Sequence, residues 1–265
     1  RTRLMRRALK PIYRAVFSAR RATVVFQNAA DQEKLINLGI TVGARTQLIR
    51  GSGVDITHFD PAALLPGLAE GHVSPPGEYH NPLRVLFPSR LINEKGVREL
   101  LQACRALWAR GVALELLVAG ALDDGNRSSL TPGELAVLRA EPRLRCFGHV
   151  SDMRALYASS DLVVLPSWRE GLSRALIEAA AMERPIITTD VPGCRDVVDH
   201  GHSGLLVPLK NADALRLAIA LLIEQPDLAR QFGLAARRKV VQEFAVSLVN
   251  ERTLATYKRL VPLAV

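Results

Sequence analysis

The sequence predicts an α/β protein built on a doubly wound parallel sheet with both faces covered. Short apolar runs recur through the middle of the chain, a segment with helical spacing follows each, and polar residues gather where the runs end. Length and composition agree. The 265 residues are 48% hydrophobic, 23% charged and 5% aromatic, enough to bury a large core and outside the disordered and fibrous classes. No apolar run reaches the roughly 18 to 20 residues of a spanning helix. The basic start is not followed by an apolar stretch of signal-peptide length, and the chain does not begin with Met, which points to a fragment.

Taken in order, Thr23 to Phe26 reads as a strand, Ala29 to Leu38 as a helix closed by Gly39, and Thr46 to Ile49 as a strand running into Gly51-Ser52-Gly53. This is one β/α unit without the rest of its sheet. A Pro/Gly-rich passage from Pro61 to Pro82 follows and reads as a linker, centred on residues 72–82. Beyond it strands are expected at Arg84 to Pro88, Leu114 to Ala119, Leu144 to Phe147, Leu162 to Leu165, Pro185 to Thr188 and Gly204 to Val207. The helices between them are Gly96 to Arg110, Pro132 to Ala140, Asp152 to Ala158, Arg174 to Met182 and a short one at Cys194 to Val198. Three helical segments, broken near Gln225-Pro226 and Glu243-Phe244, fill Ala212 to Leu260.

Charge is unevenly spread. The net charge is +9, and residues 1–50 hold 11 Lys/Arg against 2 acids while the remainder balances at 24 against 24. Arg1 to Arg21 carries eight basic residues and no acid, interleaved with Leu4, Met5, Leu9, Ile12, Val16 and Phe17. Such a face suits anionic lipid headgroups, nucleic acid, or solvent beside a further domain. No aromatic interleaving or recognised motif supports nucleic acid, which is not expected as a partner. Cys104, Cys146 and Cys194 are odd in number and lack disulfide or zinc spacing, so packing in a reducing compartment is expected of them.

Ligands of a doubly wound sheet bind beyond the carboxyl ends of its strands, where two loops hold the chemistry. After the first strand, Pro88-Ser89-Arg90-Leu91-Ile92-Asn93-Glu94-Lys95-Gly96 brings two cations to the mouth of the sheet ahead of a helix amino terminus, an arrangement suited to a diphosphate. A surface Arg and a Lys paired with Glu94 are the plainer reading. After Leu162 to Leu165, Pro166-Ser167-Trp168-Arg169-Glu170-Gly171-Leu172-Ser173 opens a helix that carries Glu178 about two turns on. Carboxylates there accept hydrogen bonds from sugar or ribose hydroxyls, although a solvated acidic face is the simpler alternative. Asp123-Asp124-Gly125 reads as a turn. Gly51-Ser52-Gly53 has Ile56 where a dinucleotide fingerprint needs its third glycine.

These loops resemble the retaining nucleotide-sugar glycosyltransferases of family 4, with the two-domain GT-B fold. The resemblance rests on Arg90 with Lys95, on Glu170 and Glu178 within "PSWREGLSRALIEAAAMERPIITTDVPGCRDVV", and on "GSGVDITHFDP" at Gly51 to Pro61. It runs from about Ala22 to Phe244. It implies that residues 1–71 are the end of an acceptor-binding domain, most of which lies outside this sequence. Residues 72–82 would then be a linker, residues 83–243 the Rossmann-like donor-binding domain, and residues 244–265 the carboxyl-terminal helix. It places Arg90 and Lys95 on the donor diphosphate, Glu170 on the sugar hydroxyls, Glu178 on the ribose, and the amides of Gly171, Leu172 and Ser173 near sugar and phosphates. Backbone groups around Gly148, His149 and Val150 would hold the base, which leaves His149 without a catalytic role. Glu170, Arg90 and Lys95 are the implied catalytic residues.

The resemblance further implies a nucleotide-sugar donor, UDP-linked by preference, with no cofactor and no metal. It implies a lipid-linked or saccharide acceptor in bacterial lipopolysaccharide, O-antigen or capsule synthesis, and a cytoplasmic protein held at the inner membrane face through residues 1–21. The fragment by itself is expected to bind donor without turning it over. A UDP-sugar 2-epimerase-like enzyme or a non-catalytic nucleotide-sugar-binding module is the alternative. Two departures stand out: Ala121 follows Gly120 where the family often has a second glycine, and Asp196 stands where it commonly has Glu.

Overall fold

The structure is a computed structural model that describes residues 2–17, 22–63 and 78–260. Helix α1 (Thr2–Phe17) precedes a small front unit of β1 (Val24–Phe26), α2 (Ala29–Asn37) and β2 (Thr46–Leu48), whose two strands pair in parallel. The main body alternates strictly: β3 (Leu83–Phe87), α3 (Val97–Trp108), β4 (Leu114–Val118), α4 (Pro132–Arg139), β5 (Leu144–Cys146), α5 (Arg154–Ala158), β6 (Leu162–Leu165), α6 (Arg174–Ala181), β7 (Ile186–Thr189), α7 (Pro192–Arg195) and β8 (Leu205–Val207). Helices α8 (Ala212–Glu224), α9 (Pro226–Glu243) and α10 (Val246–Leu260) follow.

The six main strands form one parallel sheet in the order β5-β4-β3-β6-β7-β8. From β3 the chain builds outward through β4 and β5, then returns to the other side of β3 with β6. The order therefore reverses between β3 and β6, and the loops leaving these strands diverge there to open a crevice. The strand residues are inaccessible on both faces: Val85, Leu86, Phe87, Leu116, Val118, Leu162, Val163, Val164, Ile186 and Ile187 all have 0% exposure. That two-sided burial is why each strand reads as an unbroken apolar run.

The expected elements appear within a residue or two, with one larger correction. The short helix expected at Cys194 to Val198 runs instead from Pro192 to Arg195, ending three residues earlier, and the fixed φ of Pro192 suits a first helical turn that needs no amide donor. The front unit joins the main body through paired backbone bonds: Val54 N donates to Phe244 O, and Val246 N donates to Val54 O, both at 2.9 Å. Val54 and Phe59 are buried in the main core, and from α10 the Thr256 hydroxyl donates to Gln47 Oε1 of β2 (2.7 Å). Of the expected Pro/Gly-rich passage, residues 64–77 lie outside the described residues. Its end is anchored, with Tyr79 Oη donating to Leu222 O (2.6 Å) and His80 Nδ1 2.8 Å from Asp161 Oδ1.

Of the basic amino-terminal segment, Arg1 and residues 18–21 lie outside the described residues, as do residues 261–265. Along α1, Leu9, Ile12, Tyr13 and Val16 are exposed, with Lys10 and Arg14 between them. A mostly apolar groove of about 790 Å³ lies between α1 and α2. Among the described residues no helix is long and apolar enough to cross a membrane.

Candidate functional site

A cleft of about 360 Å³ lies over the carboxyl ends of β3, β4 and β5. It is lined by Pro88, Ser89 and Arg90 after β3, by Ala119 to Leu122 after β4, by His149 and Val150 after β5, and by Met153, Tyr157, Ala175 and Glu178. The floor is set by close packing of two loops. A Cβ added at Gly120 would collide with Ser89 O and stand 2.5 Å from Ser89 C, so only glycine lets the β3 and β4 loops meet. Leu91 N donating to Ala121 O (2.9 Å) joins the same loops.

Arg90 and Glu178 are held differently. Arg90 Nη1 donates to Asp123 Oδ2 at 2.6 Å, with most of the guanidinium in solvent. Asp123 also accepts from Asn126 Nδ2 (2.8 Å), so the turn residue doubles as the anchor of the arginine. Glu178 is buried on α6; Arg174 Nε donates to its Oε1 (2.9 Å), and Tyr157 Oη lies 3.2 Å from its Oε2. Burial pushes the Glu178 carboxyl above its ordinary range, against the pull of Arg174. Tyr157 is raised far above a normal phenol, first by burial and then by the Glu178 charge. A neutral Tyr157 therefore has one hydroxyl proton between two acceptors, Ala175 O at 3.0 Å and Glu178 Oε2 at 3.2 Å.

The second pair sits one loop away. Lys95 Nζ donates to Glu170 Oε1 at 2.5 Å, and Ser167 Oγ donates to the same oxygen at 2.7 Å. Both side chains are largely shielded, 18% and 10% exposed, so the ion pair is not a surface contact. The plainer pairing of Lys95 with Glu94 is not found, because Glu94 accepts from Ser128 Oγ instead. Loop 166–173 is fixed from several sides: Trp168 N donates to Glu94 O (2.7 Å), Trp168 Nε1 to Glu99 Oε1 (3.1 Å), and Lys210 Nζ lies 3.8 Å from the centre of the indole. The loops on either side of the reversal in strand order are thereby tied together.

The structure thus gathers Arg90, His149, Val150 and Glu178 in one cleft. It puts Lys95 and Glu170 in a separate pair, and Gly148, Gly171, Leu172 and Ser173 outside the cleft lining. Tyr157, Asp123, Ser89 and Met153 join the site without having been foreseen. Tyr157 reads as core in a short helix and Asp123 as a turn former; only their partners, 21 and 33 positions away, reveal them. Among the described residues no group of three His, Cys, Asp or Glu side chains is placed to hold a metal ion.

Comparison with known proteins gives a consistent picture. The sequence model described as "Glycosyl transferases group 1" matches residues 72–239. A capsular polysaccharide biosynthesis glycosyltransferase, CapM of Staphylococcus aureus, is 30% identical over 184 residues, covering 68% of this chain and 48% of that protein. A glycosyltransferase from Rickettsia africae superposes with a TM-score of 0.80 at 27% identity, covering 96% of this chain and 67% of the other. The Anabaena protein HepE, solved in complex with UDP-glucose, superposes with a TM-score of 0.75 at 22% identity, covering 94% and 68%. The chain spans about half the length of the curated relatives it matches.

Proposed function

The chain belongs to the group 1 glycosyl transferases, and from that premise we propose that residues 83–243 bind the nucleotide-sugar donor of a retaining glycosyl transfer. The observation that carries this is the cleft at the reversal of strand order, where Arg90, Glu178 and the backbone around His149 and Val150 converge. In this reading the base lies against Gly148, His149 and Val150, where backbone groups can recognise it. The ribose hydroxyls reach the Glu178 carboxylate, and the diphosphate reaches Arg90 and Lys95. UDP with a hexose or N-acetylhexosamine is the proposed donor. The UDP-glucose bound by HepE supports a uridine nucleotide.

The chemistry follows from charge. Breaking the bond between anomeric carbon and phosphate leaves negative charge on the diphosphate and positive charge on the sugar ring. Arg90, Lys95 and the amino-terminal amides ahead of α6 stabilise the first, while Glu170 faces the sugar. Arg90 reaches the diphosphate by exchanging Asp123 for phosphate oxygens. Lys95 keeps donors to spare beyond the one it gives Glu170. The leaving phosphate takes the acceptor proton on the same face, so transfer retains configuration without a protein nucleophile.

The acceptor is proposed to be a lipid-linked or growing saccharide in the synthesis of capsule or a related surface polysaccharide, and the capsular role of CapM supports this. Its binding groups are proposed to lie in the part of the relatives' length that this chain does not span, with the residues described above supplying the donor side. The exposed apolar residues of α1, with Lys10 and Arg14 among them, support a peripheral site on an anionic membrane at the cytoplasmic face. Calorimetry with UDP, GDP and UDP-N-acetylglucosamine tests the donor site. One nucleotide should bind, and Arg90→Ala and Glu178→Gln should each weaken it by about 1 to 3 kcal/mol, the range for hydrogen bonds to charged groups. Unchanged affinity in both variants, or no binding by the parent chain, would remove this assignment.

A further inference from the structure

We propose that Asn28 is a positioning residue for the donor site, orienting the Gly171–Leu172 peptide from the front unit. This rests on the reading of the cleft as a donor site. Asn28 caps α2 and is 2% exposed. Its Oδ1 accepts from Asp31 N at 2.7 Å, while its Nδ2 donates to Asp31 Oδ2 at 2.9 Å and to Gly171 O at 2.8 Å. The two acceptors face the nitrogen and the one donor faces the oxygen, so the amide orientation is fixed and all three of these groups are satisfied. Of these bonds, the one to Gly171 spans 143 positions and crosses from the front unit into the loop that carries Glu170.

A peptide carbonyl and the following amide point in opposite directions within one rigid plane. Holding Gly171 O toward Asn28 therefore aims Leu172 N–H away from the front unit. The same carbonyl is packed from another side, because a Cβ at Gly193 would stand 2.6 Å from both Gly171 O and Glu170 O. The front unit grips the loop a second time where Leu172 packs so closely on Gly51 that a Cβ there would strike Leu172 Cδ2. The loop conformation is thus set partly by a unit outside the main sheet.

The residue type fits this dual task. Ser, Thr and Asp cap a helix as well as Asn, yet none offers an acceptor for the cap together with two amide hydrogens beside it. The consequence is a mechanical link: a shift of the front unit is passed to the Gly171–Leu172 peptide through this bond.

Calorimetry of the chain with UMP, UDP and UDP-glucose, together with thermal unfolding, tests the link in Asn28→Ser and Asn28→Thr. Both keep an oxygen to cap α2, and both are too short to reach Gly171 O and have no amide donor to give it. Unfolding temperatures should stay close to the parent and UMP should bind unchanged, while UDP-glucose weakens roughly tenfold in both, as expected for one hydrogen bond with its desolvation cost. Unchanged UDP-glucose affinity would overturn the proposal. Equal weakening of UMP and UDP-glucose, or failure of both variants to fold, would also overturn it and make Asn28 a purely structural cap. If the parent chain binds none of the three nucleotides, the donor-site reading falls first and this inference with it.

Discussion

Replacing Gly120 with Ala should damage stability and nucleotide binding together. The added methyl would overlap Ser89 O, stand 2.5 Å from Ser89 C and lie 3.1 Å from Arg90 N, all of it backbone. Carbons pack at roughly 3.5 Å or more, and the carbonyl oxygen is nearer still, so the Ser89–Arg90 segment must retreat by more than about 1 Å. No side chain can swing aside to absorb that movement. Overpacking of this kind costs about 1 to 3 kcal/mol, and a domain of this size loses about 2 to 4 °C per kcal/mol, giving a drop of roughly 2 to 12 °C in unfolding temperature. The displaced segment carries Arg90 and the Leu91–Ala121 bond, so UDP affinity should fall by about tenfold, or 1.4 kcal/mol. Differential scanning fluorimetry and calorimetry read the two effects. Gly133→Ala is the control, because a Cβ there meets only Thr131 Oγ1 at 3.9 Å and should leave both values unchanged or raise stability slightly. If Gly120→Ala melts within about 1 °C of the parent and binds UDP equally well, the close approach of the β3 and β4 loops is wrong.

Glu178 gives a pH signature. Its carboxyl is raised above 4.5 by burial, so the folded chain holds a proton more tightly than the unfolded one, and stability should fall as pH rises from about 4.5 through the raised value. Glu178→Gln should lose that slope in thermal unfolding, and parallel profiles would refute the burial argument; UDP binding should strengthen over the same pH range, as the carboxylate forms. Vesicles of phosphatidylcholine with phosphatidylglycerol should sediment with the chain at low salt and release it at high salt, while Ile12→Glu on the exposed face of α1 should abolish binding. Equal binding to purely neutral vesicles would discard the anionic-surface reading. Thiol titration of the folded chain should show Cys146 reacting first, since Cys104 and Cys194 are buried and their thiols are pushed up to about 12. Early reaction of Cys194 would show that loop 166–173 opens more than its contacts imply.

How far the sequence revealed this molecule depended on the range of the signal. Strands such as Leu162 to Leu165 were legible because burial on both faces demands apolar residues throughout. Arg90 and Glu178 were legible because charge beside such a strand stands out, and the family wording fixed their grouping. Tyr157 was not, since a buried aromatic in a helix looks the same whether or not its hydroxyl meets a carboxylate. Asn28 drew no attention in the sequence, because its bond to Gly171 depends on where that residue lies in space. The start of α7 was missed because Val191-Pro192-Gly193 has the composition of a turn, and Pro192 serves a first helical turn equally well.

The bond from Thr256 to Gln47 joins residues 209 positions apart, which sets an order of events during synthesis. At roughly 5 to 20 residues per second, Gln47 leaves the ribosome about 10 to 40 s before the helix that covers it. Strands β1 and β2 spend that interval without the helix that covers Gln47. The main sheet has meanwhile been translated in full, from β3 to β8. The contact between the front unit and α10 is therefore among the last of the described contacts to form.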